Sequence, residues 1–149
     1  MTDASTQTQG ERERARQRAS AVLDRVRFDE KGLLPAVIQQ WDTREVLMVG
    51  WMDREAFLRT MSEGRVTFWS RSRQEYWRKG DTSGHVQYVR GAALDCDGDT
   101  LLVRVEQIGA ACHTGTRACF DADLLDPVVI EAPAEHERHE SAPNERNGS

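Results

Sequence analysis

The sequence predicts an α+β domain, a mostly antiparallel β-sheet with few helices. Apolar β-branched runs of strand length recur through the middle of the chain, turn residues separate them, and one segment carries a full set of helix signals. Residues 34–41 and 45–51 are two such runs, and the polar break Asp42-Thr43-Arg44 joins them as a β-hairpin. Asp53 follows as the N-cap of a helix running through Glu63, with Glu55 near its positive end and Gly64 placed to stop it. Phe57 and Met61, four apart, give that helix an apolar side to lay on a sheet. Strands resume at 66–69, 85–89 and 100–105, and Asp97-Gly98 is a favoured hairpin turn between the last two.

The ends differ from this middle. Residues 1–19 are polar and then alternate Glu with Arg, which reads as a disordered or weakly helical lead-in, followed by a short amphipathic helical turn at 21–26. Residues 131–149 form an acidic solvated tail, in which His136 and His139 read as ordinary tail histidines. One domain over 20–130 remains, long enough to bury a core. A net charge of −5 disfavours nonspecific nucleic-acid binding. No apolar run reaches the roughly 18 residues of a membrane span, and the N-terminus has no apolar stretch of the secretory kind. The expected location is therefore cytoplasmic, where three cysteines serve as thiols or metal ligands more readily than as disulfides.

All three cysteines lie within residues 95–119, beside three aspartates: Asp95-Cys96-Asp97-Gly98-Asp99, then Cys112-His113 and Cys119. Thiolates select zinc, whereas clustered carboxylates suit Mg²⁺ or Ca²⁺. The aspartates alone could decorate a turn, but three carboxylates at alternate positions repel one another unless a cation offsets them. In extended backbone they would project to one side, with Cys96 on the other. An EF-hand does not fit, because Thr100 stands where the loop needs glycine and strands flank it. Cys112 and Cys119 are too far apart in sequence for a Cys-x₂-Cys knuckle. Three thiolates with an open fourth position, and His113 alongside, would describe a catalytic zinc and its base. Closure of that position by His113 would instead describe a structural zinc in a nucleotide-binding module.

Between Arg65 and Arg90 the chain is basic and aromatic. Arg71, Arg73 and Lys79, with the hydroxyls of Thr82 and Ser83, are the residue types that hold phosphate oxygens. Trp77 or Tyr76 could stack on a heterocycle, while Trp69 reads as a core plug. A small phosphorylated, base-containing metabolite suits this segment better than nucleic acid.

The order Trp69-Ser70-Arg71-Ser72-Arg73, Trp77-Arg78-Lys79-Gly80, Thr82-Ser83-Gly84, Asp95-Cys96-Asp97-Gly98-Asp99, Glu106-Gln107-Ile108-Gly109 and Cys112-His113-Thr114-Gly115 with Cys119-Phe120 resembles phosphoribosyl-AMP cyclohydrolase of histidine biosynthesis. That resemblance implies an intertwined homodimer and a Zn²⁺- and Mg²⁺-dependent hydrolase opening the adenine ring of phosphoribosyl-AMP at N1–C6. It implies zinc on Cys112 and Cys119 of one subunit and Cys96 of the other, and magnesium on Asp95, Asp97 and Asp99. His113 is then the catalytic proton carrier, and Arg71, Arg73, Trp77, Lys79, Thr82 and Ser83 bind substrate. His85 and Tyr76 depart from the family pattern and are expected to bear on substrate fit only. With a polar tail after Ile130, no second catalytic domain is expected.

Overall fold

Strand β1 (Leu34–Gln40) turns back through Asp42-Thr43-Arg44 into β2 (Val46–Met52), and helix α2 (Arg54–Glu63) follows at once. Two further hairpins complete the framework in this computed structural model, which describes residues 8–134: β3 (Thr67–Ser70) with β4 (Glu75–Arg78), and β5 (Gln87–Leu94) with β6 (Leu101–Gln107). The larger sheet has the order β2-β1-β6-β5, and β3-β4 form a second, two-stranded sheet. Both hairpins and the β1–β2 pair are antiparallel, and only the central β1–β6 pairing is parallel. The expected α+β class with mostly antiparallel pairing is what the chain forms.

Alternation places the core. Leu34, Ala36 and Ile38 on β1 and Leu101, Val103 and Val105 on β6 are buried, with Ala36 paired to Leu101 and Ile38 to Val103. Phe57 of α2 and Phe68 of β3 join the same cluster. Asp53 caps α2 by accepting the Ala56 N–H at 2.9 Å, and Gly64 ends it with a left-handed φ of 79°. Near fully buried Thr60 exchanges hydrogen bonds with the Thr67 backbone, which locks the helix to β3.

Three local expectations are corrected. Residues 9–19 of the expected lead-in are helical, because helix α1 runs over Gln9–Val22 in place of a short turn starting at Ala21. Thr8 and Glu11 form a reciprocal capping box at its start, and Arg16 grips Glu55 of α2 at 2.6 Å while Ala19 buries. Docking on α2 supplies what a weakly amphipathic sequence could not. Residues 75–78, not among the expected strands, form β4. The turn before it closes by a hydrogen bond from Gln74 N to Ser70 O (2.8 Å), with Gln74 at a φ of 58°. Trp69 is half-buried and sits edge-on to Tyr76 at 4.9 Å, so Phe68 is the core plug of that strand. His136 and His139 lie outside the described residues.

Candidate active site

The cysteine loop leaves the end of β6 and is held from below by amides. Gln107, buried, donates its Nε2 to the Gly109 carbonyl (3.1 Å) and to the Arg117 carbonyl (2.9 Å), so one side chain ties both ends of the loop together. Gln87 donates to Gln107 Oε1 at 2.8 Å, and Gln40 Oε1 accepts the Gln107 backbone N–H at 3.1 Å. The alternation that buries Leu and Val along β1 and β6 thus ends in a buried glutamine on each strand. Within the loop, Ala111 N donates to Arg117 O and Cys112 N to Thr116 O, which folds the chain back and brings Cys119 beside Cys112. Sequence reasoning passed over Gln107. Its signal was a large polar residue at the inward position of an otherwise apolar strand.

The two thiols differ. Cys112 Sγ lies 3.0 Å from the Thr114 hydroxyl, and hydrogen bonds from that hydroxyl and from the Thr114 N–H bring its pKa down to about 7. Burial, and then the neighbouring Cys112 charge, push Cys119 up. Lys79 reaches this pair from the end of β4: its Nζ donates to the Ala111 carbonyl at 3.1 Å. Burial lowers the Lys79 pKa, and the Cys119 and Cys112 sulfurs oppose that shift.

A cavity of about 280 Å³ opens beside the pair, and Trp77, Lys79, Thr82, Ser83, His113 and Cys119 are among its walls. Six of the sequence-predicted site residues therefore meet in one place. Arg71 and Arg73 line an adjoining cavity of about 610 Å³, and Trp77 and Met48 are shared by both. The Arg71 guanidinium stacks over Trp51 at 4.6 Å, which aims it without using up its forked donors. Tyr76 lines neither cavity: its hydroxyl donates to Asp53 at 2.7 Å and Arg59 covers its ring. His85 packs against Gly109 at the neck of the cysteine loop, where any Cβ would collide with the imidazole. Both departures from the family pattern thus make contacts within the scaffold.

The aspartates sit elsewhere on the chain. Asp95, Asp97 and Asp99 place carboxylate oxygens within 4.8 Å of one another, and all three are exposed. Their convergence comes from a turn, not from the expected strand alternation. Gly98 N donates to Asp95 O, and Asp99 N to the Asp95 carboxylate at 3.1 Å. Gly98 has a φ of 78° and rests against the Arg25 carbonyl, with its own carbonyl accepting from Arg27 N at 2.7 Å. Hydrogen bonding with Asp97, then with Asp95, pushes Asp99 up, as expected of carboxylates crowded together. Cys96 and two of the aspartates line a third cavity of about 670 Å³ under α1, apart from Cys119 and His113.

As donor sets, both groups suit the metals expected of them. Three crowded carboxylates fit a hard divalent cation, and an adjacent thiol pair, one with its pKa lowered by hydrogen bonds, fits zinc. Among the described residues no third sulfur, imidazole or carboxylate donor joins the Cys112–Cys119 pair in a cluster of three.

An aromatic wall, hydroxyls and a histidine converging on a small cavity is the layout of a small-molecule enzyme. The phosphoribosyl-AMP cyclohydrolase family model matches residues 48–121, which include every residue of these cavities except those between Ala15 and Arg27. A phosphoribosyl-AMP cyclohydrolase from Leifsonia xyli subsp. xyli is 74% identical over 111 residues, covering 74% of this chain and 89% of that protein. Those from Bifidobacterium longum (75% identical over 115 residues; 76% and 88% covered) and an Arthrobacter species (68% over 113; 76% and 84%) are similarly close. The chain belongs to the phosphoribosyl-AMP cyclohydrolase family.

Proposed function

We propose that the protein hydrolyses the adenine ring of phosphoribosyl-AMP, in histidine biosynthesis, as a zinc- and magnesium-dependent homodimer. Water adds to C6, the N1–C6 bond breaks and N1 takes a proton, giving phosphoribosylformimino aminoimidazole carboxamide ribotide. The observation that carries this reading is the meeting of His113, Trp77, Thr82, Ser83 and Cys119 at one cavity, in a chain 74% identical to a protein of that name.

Cys112 and Cys119 would hold zinc, whose chemistry at such a position is ionisation of water at neutral pH. Trp77 offers a face for the base, and Thr82 and Ser83 offer hydroxyls at the cavity rim. Arg71 and Arg73, one cavity away across Trp77, would bind phosphoribosyl oxygens bidentately. His113 would move a proton between the attacking water and the departing N1. Asp95, Asp97 and Asp99 would hold magnesium near substrate phosphate.

The pair of thiols is incomplete as a zinc site, and Cys96 opens on a different cavity of the same chain. A second copy bringing its Cys96 to this pair would complete three sulfurs. Apolar surface supports such a partner: Phe120, Leu124, Leu125, Val128, Val129 and Ile130 are all more than half exposed. Among the described residues no helix is long and apolar enough to cross a membrane. The direct test is incubation of the zinc-loaded protein with phosphoribosyl-AMP while ultraviolet absorbance is followed for ring opening. No absorbance change with verified substrate and metal would refute the activity.

A further inference from the structure

The chain holds eighteen arginines and two lysines, and the two lysines have opposite settings. Lys31 is exposed, whereas Lys79 is 6% exposed. Its backbone is held on both sides: its N–H donates to Val66 O at 2.9 Å, and its carbonyl accepts from Arg65 at 3.0 Å. Among the described residues it has no carboxylate partner, since the nearby Asp81 is taken by Arg65 and Arg78. A buried ammonium without a counter-charge is costly. What faces it is the Ala111 carbonyl at 3.1 Å, the Trp77 ring at 5.8 Å and the sulfurs of Cys119 and Cys112.

Arginine would not serve here. A compact ammonium on a flexible stem can point one donor at a single carbonyl beneath a loop, whereas a planar fork needs a matching pair of acceptors. The Ala111 carbonyl belongs to the residue just before Cys112, so the contact sets where the Cys112 thiol can point. Three thiolates around one divalent cation leave a single negative charge over, and one ammonium cancels it.

We propose that Lys79 is a positioning residue of the metal centre, holding the Ala111 carbonyl and offsetting the thiolate charge, and is not a grip for substrate phosphate. This rests on the reading that Cys112 and Cys119 hold zinc together with Cys96 of the partner subunit.

The test uses the full-length, zinc-loaded protein and its Lys79→Met variant, which keeps length and loses charge. Chelator competition should show zinc held 10- to 100-fold more weakly, the range typical of groups that orient metal ligands. In the cobalt-substituted variant the sulfur-to-metal charge-transfer band should weaken or shift, while KM for phosphoribosyl-AMP stays within about twofold in zinc excess. Wild-type zinc affinity together with a KM raised tenfold would overturn the proposal. Should the variant not fold, lysine acylation of the wild-type protein decides: Lys31 should react and Lys79 should resist, with or without substrate. Acylation of Lys79 at the rate of Lys31, blocked by substrate, would make it a phosphate grip. Unchanged zinc affinity in Cys112→Ser would instead sink the underlying zinc reading, an outcome separate from the Lys79→Met result.

Discussion

Replacement of Gln107 by leucine isolates the amide clamp under the cysteine loop. The two side chains are close in volume, so the change removes polar contacts without opening a large cavity. Three side-chain hydrogen bonds disappear: those to Gly109 O and Arg117 O, and that from Gln87 Nε2. Their orphaned partners are not equally exposed to loss. Arg117 O keeps the Ala111 N–H at 2.9 Å, and Gln87 Nε2 keeps Met48 Sδ at 3.5 Å, so Gly109 O is the group left bare. At about 1 kcal/mol for each bond lost, with a larger penalty for a single unsatisfied carbonyl, the cost is about 2–4 kcal/mol. That is a sizeable share of the roughly 5–15 kcal/mol that holds a domain folded. Urea unfolding of the metal-free chain reads it as a lower midpoint at unchanged slope. Amide hydrogen exchange should accelerate at Ala111 and Cys112, the two loop residues whose N–H groups close the fold-back. A loss below about 0.5 kcal/mol, or a loss with exchange unchanged at those two amides, would refute the clamp.

Three other outcomes are expected. His113→Ala should keep zinc and lower turnover by about 10²- to 10⁴-fold, the usual worth of a positioned acid or base; steady-state kinetics with metal analysis checks this. Cys96→Ala and Cys112→Ala should each be inactive, yet mixing them should restore part of the activity because a heterodimer rebuilds one intact site; no recovery after verified subunit exchange would argue against donation across an interface. Tyr76 is pushed up to about 12 by burial and by its bond to Asp53. Its ordinary pKa being about 10, the stabilisation is full below that and is lost as pH rises toward 12, and Tyr76→Phe should flatten this alkaline loss in thermal melts.

Much of the framework was legible along the chain. Asp53 and Gly64 bracket α2 as their capping chemistry requires, and Asp97-Gly98 turns β5 into β6. These signals are local, since a cap or a turn needs only its own few residues. Helix α1 and strand β4 were less legible. Helix α1 depends on α2, through Ala19 and the Arg16–Glu55 pair, for the burial its own sequence lacks. Residues 75–78 carry Glu75 and Arg78 at the ends of a four-residue run, which masks its strand character although Tyr76 and Trp77 are strong strand formers.

The site divides the same way. Residue type and order were enough to name the family and to propose ligand sets and a proton carrier, because donor softness and charge are properties of side chains wherever they sit. Only folding could decide that His113, Lys79, Thr82, Ser83 and Cys119 share a cavity, that Arg71 lies next door, and that the aspartates and Cys96 face elsewhere. Folding also turned Lys79 inward toward Ala111, a placement its basic neighbours gave no hint of. The physical reason is range: chemical identity is carried by each residue alone, whereas convergence depends on long-range packing that brings β4, β6 and the cysteine loop together.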